Sequence, residues 1–180
     1  MNYYYIYLFA LFFASALFLF AGISVLVFSE KYPEKMEKLP RAVLPGIIIA
    51  ACDLAWCIPH SEPIAPLWMV NWLIPIAIAA LWLSYQFLDY LFSRALGGLM
   101  ILSAHFFLYA SFSFHAPVKP LFSLFCYIMG LTGIFFCGKP HLLRDLIRKI
   151  TKNPSWKYSA AAVLFVYFLL FMGVGISYVL

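Results

Sequence analysis

The sequence predicts an all-α integral membrane protein, a bundle of six transmembrane helices with one interfacial amphipathic helix. Of the 180 residues, 66% are hydrophobic and only 11% are charged, and the mean hydropathy is +0.95. A soluble domain is about half apolar and about a quarter charged. The apolar residues also form stretches long enough to cross a bilayer, with short polar loops between them.

Six stretches approach or exceed the roughly 20 apolar residues that a spanning helix needs. In chain order they cover residues 3–28, 42–58, 67–92, 95–114, 121–138 and 158–180. No Lys or Arg precedes the first stretch, so we interpret it as a retained helix rather than a cleaved signal peptide. Because every loop is short, residues 1–180 are predicted to form a single transmembrane domain.

Local signals refine the boundaries of the spans. The second span carries Pro45 and Gly46 close to its start, and the fifth holds Gly130 and Gly133. These two spans are the shortest, and a re-entrant segment is the alternative for each. Only residues 93–94 separate the third span from the fourth, which predicts a tight helical hairpin.

The basic residues lie on one side of this topology. Eleven of the 12 Lys and Arg residues fall between spans one and two, three and four, or five and six, and Lys119 is the exception. Short basic loops stay in the cytoplasm, so both termini are predicted to lie outside, most simply in a bacterial inner membrane. This location accounts for the net charge of +5 and removes the reason to expect a nucleic-acid partner.

Residues 141–150 differ from the spans because their apolar and charged side chains alternate with helical spacing. One face carries Leu142, Leu143, Leu146, Ile147 and Ile150. Arg144, Arg148 and Lys149 lie on the other face. This pattern is typical of a helix that lies in the membrane interface and contacts anionic lipid headgroups. A docking surface for a partner is the alternative.

Some strongly polar side chains fall within the predicted spans, where each is costly and is therefore a functional candidate. They are Asp53, Asn71, Gln86 and His105. An Asp53–His105 couple within hydrogen-bond or single-water reach would be able to relay protons or bind a cation during transport. A hydrogen-bonded strut that locks the bundle is the alternative.

A second group of polar residues is predicted at the outer surface. Cys57 and His60 have a Cys-x-x-His spacing at the end of the second span, and His115 ends the fourth span on the same side. Such side chains can ligate a transition metal, and two histidines can ligate haem. This spacing signal is weak, and apart from it the sequence gives no reason to expect a cofactor. In the alternative interpretation, these three side chains are polar helix ends in contact with water.

The sequence contains no nucleophile elbow, zinc-protease motif, P-loop or dinucleotide-binding glycine pattern. We therefore favour a non-catalytic subunit or assembly factor of a larger membrane complex, in contact with other subunits or with further copies of itself. One alternative is a small solute, ion or proton-linked transporter that uses Asp53 and His105. The other is a metal- or haem-binding membrane protein.

The interfacial interpretation can be tested on a peptide that covers residues 141–150. Replacing Arg144, Arg148 and Lys149 with Gln should weaken its binding to anionic vesicles by about 1 kcal/mol for each charge removed. Vesicle sedimentation measures this binding. Unchanged binding would contradict the lipid interpretation and favour docking to a partner.

Overall fold

The computed structural model describes residues 2–61, 66–87, 89–114 and 119–179, and in these ranges it is helical without strands. Its helices are α1 (Asn2–Lys31), α2 (Pro33–Lys38), α3 (Val43–Ser61), α4 (Leu67–Val70), α5 (Leu73–Phe87), α6 (Leu91–Ser113), α7 (Lys119–Gly138), α8 (His141–Lys152) and α9 (Pro154–Ser177). A 3-10 turn, Leu39–Arg41, joins α2 to α3.

Four helices in the described ranges are long and apolar enough to cross a membrane: α1, α6, α7 and α9. A fifth crossing results if the segment Pro33–Arg41 and the helix Val43–Pro59, which meet at an angle of 46°, count as one bent span. These helices indicate a membrane-associated protein. The predicted count of six spans remains an expectation.

The predicted third span, residues 67–92, is not one continuous helix. It is divided into α4 and α5 by a turn at Asn71 and Trp72. Pro75 explains the break, because its ring has no N–H for the carbonyl of Asn71 and is tolerated only in the first turn of a helix. The resulting α5 has 15 residues and reaches only about 22 Å, less than the roughly 30 Å of a hydrocarbon core.

The turn before α6 also differs from the prediction. A hairpin was expected at residues 93–94, but α6 begins at Leu91 and includes both of them. The chain turns instead at Asp89 and Tyr90, and Tyr90 has a left-handed backbone with φ of 59°. This conformation is unfavourable for a residue with a side chain. Arg94 therefore belongs to the first turn of α6 rather than to a loop.

Aromatic rings fill the centre of the bundle, where α1, α6, α7 and α9 meet. Phe171 of α9 lies 4.9 Å from Phe107 of α6 and 5.1 Å from Phe122 of α7, measured between ring centroids. Tyr7 of α1 completes this group and is almost fully buried. The two terminal helices pack against each other along their length, with an ion pair between Lys157 and Glu30 at one end.

Glycines allow α6 to approach α7 and α3 closely. A methyl group added at Gly97 would lie 2.6 Å from the carbonyl oxygen of Gly133 in α7. One added at Gly46 of α3 would lie 2.7 Å from the backbone nitrogen of Phe92. Small residues at such crossings let helix backbones pack closely within lipid. Helix α3 therefore packs directly on α6, and α5 packs mainly on α3.

The Gly97 contact makes a stability prediction. Gly97→Ala should lower the free energy of unfolding in detergent by about 1–3 kcal/mol, the usual cost of overpacking, because both backbones would have to move apart. Gly173→Ala is the matched control, since an added methyl group there meets no atom within 4 Å. Thermal or SDS unfolding monitored by circular dichroism measures both variants. Equal stability of the two would contradict the close crossing of α6 and α7.

Candidate intramembrane polar site

Asp53 is the predicted intramembrane acid, and α3 buries it against α6. Its side chain is 9% exposed. Its Oδ2 atom lies where a side chain on Gly98 would be, 2.9 Å from the position of an added Cβ. Its Oδ1 atom is buried and has no hydrogen-bond partner in the described part of the chain. Buried polar atoms are nearly always paired, so this carboxyl oxygen is an exception within the described part of the chain.

Arg94 lies one turn before Gly98 on the same face of α6. Its Nη1 atom donates a hydrogen bond of 3.1 Å to the carbonyl oxygen of Cys137 in α7, and the Cys137 thiol donates back to the carbonyl oxygen of Arg94 at 3.2 Å. The Nε atom of Arg94 is buried and has no partner among the described residues. The carboxyl group of Asp53, which faces Gly98, and the guanidinium group of Arg94 therefore lie about one turn of α6 apart, and each has a buried atom without a partner in the described part of the chain.

Arg94 was not predicted as a member of this site, because the expected hairpin placed the residue in a loop. Its spacing from the other members is nevertheless readable. Arg94, Gly98, His105 and Tyr109 follow one another at intervals of four, seven and four, which places them on one helical face, the polar stripe of α6. The mistaken start of α6 hid this pattern.

His105 lies on that face, but it does not hydrogen-bond to Asp53. It is seven residues beyond Gly98, about 10 Å along the helix axis, and no hydrogen bond joins the two side chains in the described ranges. The His105 ring is exposed on the surface of the bundle and stacks on Tyr109 with 6.5 Å between ring centroids. A water-mediated link between Asp53 and His105 stays a prediction.

Asn71 and Gln86 are separate from Asp53. Asn71 ends α4 at the break in the predicted third span, and Gln86 is in the last turn of α5. Both side chains are exposed. The four predicted intramembrane polar residues therefore divide into one buried acid and three side chains that face out of the chain's own core.

The predicted metal or haem ligands fall largely outside what the structure describes. Cys57 is half-buried in α3, whereas the side chain of His60 and the whole of His115 lie outside the described residues. Among the residues that are described, no group of three or more His, Cys, Asp or Glu side chains could hold a metal ion.

The predicted interfacial segment forms α8, and its apolar face is turned towards protein. Leu143 and Ile147 are buried and pack in one cluster with Phe136 of α7. On the charged face, Arg144 pairs with Asp145 at 3.3 Å. Lys149 lies 5.0 Å above the Trp156 ring. Contact of this charged face with lipid headgroups remains a prediction.

Comparison of the chain with protein-family models, with curated proteins and with solved structures gives no match. Function is therefore inferred from the geometry of the site alone.

Asp53 can be tested by removing its charge. At alkaline pH, Asp53→Asn should raise the free energy of unfolding of the purified chain by about 1 kcal/mol, because the unfolded chain ionises this carboxyl freely whereas the folded chain must bury it without a partner, and a neutral amide does not carry this cost. Asp89→Asn is the control: Asp89 is exposed, and a surface change of this kind shifts stability by less than about 0.5 kcal/mol. A clear loss of stability in Asp53→Asn would instead identify a hydrogen-bonded strut.

Proposed function

We propose that this chain is a non-catalytic subunit or assembly factor of a larger membrane complex. The observation that carries the proposal is the exposed ring of His105, which lies in the interior of the apolar helix α6. A polar side chain at this depth costs several kcal/mol if it faces hydrocarbon. A helix from a second protein, or from another copy of this chain, would cover the ring and supply a hydrogen-bond partner.

The exposed surface next to His105 supports the same proposal. Tyr109 is 71% exposed and continues the polar stripe by one turn. Hydroxyl and imidazole groups hydrogen-bond across helices in membranes, and each bond stabilises the pair by about 0.6 kcal/mol on average. His105 and Tyr109 lie one turn apart on one face of α6, so both can hydrogen-bond to a partner helix, whereas lipid tails offer them no hydrogen-bond partner.

The interior of the bundle gives less support to a carrier. Aromatic rings occupy the meeting point of α1, α6, α7 and α9, and a carrier needs a polar path there. Transport remains the second candidate function, because the Oδ1 atom of Asp53 is buried without a partner in the described chain and is a candidate site for a proton or cation. Loss of solute or proton flux in Asp53→Asn liposomes, with assembly unchanged, would favour the carrier.

The proposal includes a topology. We place six crossings in the membrane, with α4 and α5 together as the third and both termini outside a bacterial cytoplasmic membrane. The clustering of Lys and Arg between alternate crossings supports this orientation. Anionic lipids at the inner surface would then lie close to Arg144, Arg148 and Lys149.

Site-specific photo-crosslinking in intact membranes tests the subunit proposal. A photoreactive residue in place of His105 should give a discrete protein adduct, because a partner helix covers this position. The same residue in place of Phe13, an apolar side chain of α1 that is 56% exposed, is the control and should react with lipid. The mass of the adduct separates a second copy of the chain from a different subunit.

Two results would contradict the proposal. Reaction of position 105 with lipid alone would leave His105 without a protein partner. Equal protein adducts at both positions would show crowding rather than a specific contact.

A further inference from the structure

An open cavity of about 370 Å³ lies where α2, the 3-10 turn and α8 meet, at the end of the bundle predicted to be cytoplasmic. Its lining is almost entirely charged and consists of Glu34, Glu37, Lys38, Arg41, Arg144 and Arg148. The volume is within the range of about 300–1,000 Å³ in which small-molecule sites fall. It is independent of the α6 face on which the proposed function depends.

The walls of the cavity carry charges of both signs. Glu34, Glu37 and Lys38 come from α2, Arg41 comes from the 3-10 turn, and Arg144 and Arg148 come from one face of α8, four residues apart. In the described ranges neither glutamate forms an ion pair, since the salt bridges there join Arg144 to Asp145 and Lys157 to Glu30. The cavity therefore offers carboxylates and guanidinium groups that do not neutralise one another by contact.

Tyr90 draws two of the arginines together at one edge of the cavity. The Nη2 atom of Arg41 donates to the Tyr90 hydroxyl at 2.6 Å, and the Nη1 atom of Arg144 donates to the same oxygen at 3.0 Å. The Arg41 guanidinium also lies 4.9 Å from the ring centroid. The hydrogen bond from Arg41, assisted by the charge of Arg144, lowers the pKa of Tyr90 below its ordinary value.

This arrangement leaves donors available on both arginines: Arg144 donates from Nε and Nη2 to Asp145 and from Nη1 to Tyr90, and its remaining N–H groups are available. A guanidinium has five N–H donors in a planar fork that matches the oxygens of a phosphate, and Arg41 spends only part of its set on Tyr90. The Tyr90 hydroxyl lies between the two arginines and accepts a hydrogen bond from each.

We propose that this cavity binds a phosphate group with an ammonium group beside it. The chemistry is that of an aminophospholipid headgroup or of the corresponding free amino-alcohol phosphate. Arg41 and Arg144 hold the phosphate, and Glu34 and Glu37 hold the ammonium group. The excess of basic side chains in the lining favours the phosphate group, and the two carboxylates favour a ligand that also carries an ammonium group over a purely anionic one.

Native mass spectrometry of the purified, delipidated full chain tests this proposal. The chain is titrated with phosphatidylethanolamine, which carries the amine, and with phosphatidylglycerol, which does not. We expect retention of phosphatidylethanolamine to be about tenfold stronger, equivalent to about 1.4 kcal/mol. Equal retention, or a preference for phosphatidylglycerol, would overturn the proposal.

Two double variants separate the roles of the walls. Arg41→Gln with Arg144→Gln should weaken retention of both lipids about tenfold, because the phosphate loses its charged donors. Glu34→Gln with Glu37→Gln should weaken retention of phosphatidylethanolamine alone. Lys152→Gln is the matched control, since Lys152 ends α8 outside the cavity lining, and it should change neither. The Glu variants keep the proposal testable if the Arg pair fails to fold, which thermal unfolding of each variant reveals.

Two outcomes with these variants would overturn the proposal. If Glu34→Gln with Glu37→Gln leaves the preference for phosphatidylethanolamine intact, the carboxylates only help α2 to dock on α8. If Lys152→Gln weakens retention as much as the Arg pair does, the lipids respond to the net positive charge of this end of the bundle and not to the cavity.

Soluble phosphoethanolamine identifies the source of the ligand. Displacement of bound lipid at millimolar concentration supports a free amino-alcohol phosphate as the natural ligand. Retention of the lipid under the same conditions supports a membrane lipid.

Discussion

The close approach of α6 to its neighbours is the constraint on which the rest of the structure depends. Gly97 and Gly133 bring the backbones of α6 and α7 together, and Gly46 does the same for α3 and α6. Lipid tails are as apolar as the helices, so packing and hydrogen bonds between helices, rather than exclusion of water, hold such bundles together. The hydrogen bonds between Arg94 and Cys137 form only because α7 lies this close to α6.

The two ends of the bundle are packed differently. Towards the predicted cytoplasmic side, glycines and small residues bring helices into backbone contact. Towards the other side, rings such as Phe107, Phe122 and Phe171 fill wider spaces between α6, α7 and α9. Asp53 lies at the boundary, because Gly98 leaves room for its carboxyl group. Further along the same face of α6, His105 and Tyr109 are exposed on the surface of the bundle.

The sequence predicted the helical character of the chain, four of the long apolar helices and the segment that forms α8. It did not predict the break within residues 67–92, because hydropathy averages over a window and ignores the backbone demands of Pro75. The left-handed turn at Tyr90 was equally hidden, since no glycine marks it. That error placed Arg94 in a loop and concealed its membership of the polar stripe on α6.

Composition and the length of the apolar stretches by themselves indicated a helical, membrane-associated chain, because continuous apolar stretches of about 20 residues suit helices in lipid. They also singled out Asp53 and His105, since lipid makes any strongly polar side chain conspicuous. Only the tertiary structure decided that Asp53 is buried against Gly98 while His105 faces outward. It also decided that Arg41 and Arg144, 103 positions apart in the sequence, meet at the hydroxyl group of Tyr90. Such meetings depend on which helices pack together, and the pattern of residue types along the chain does not reveal that.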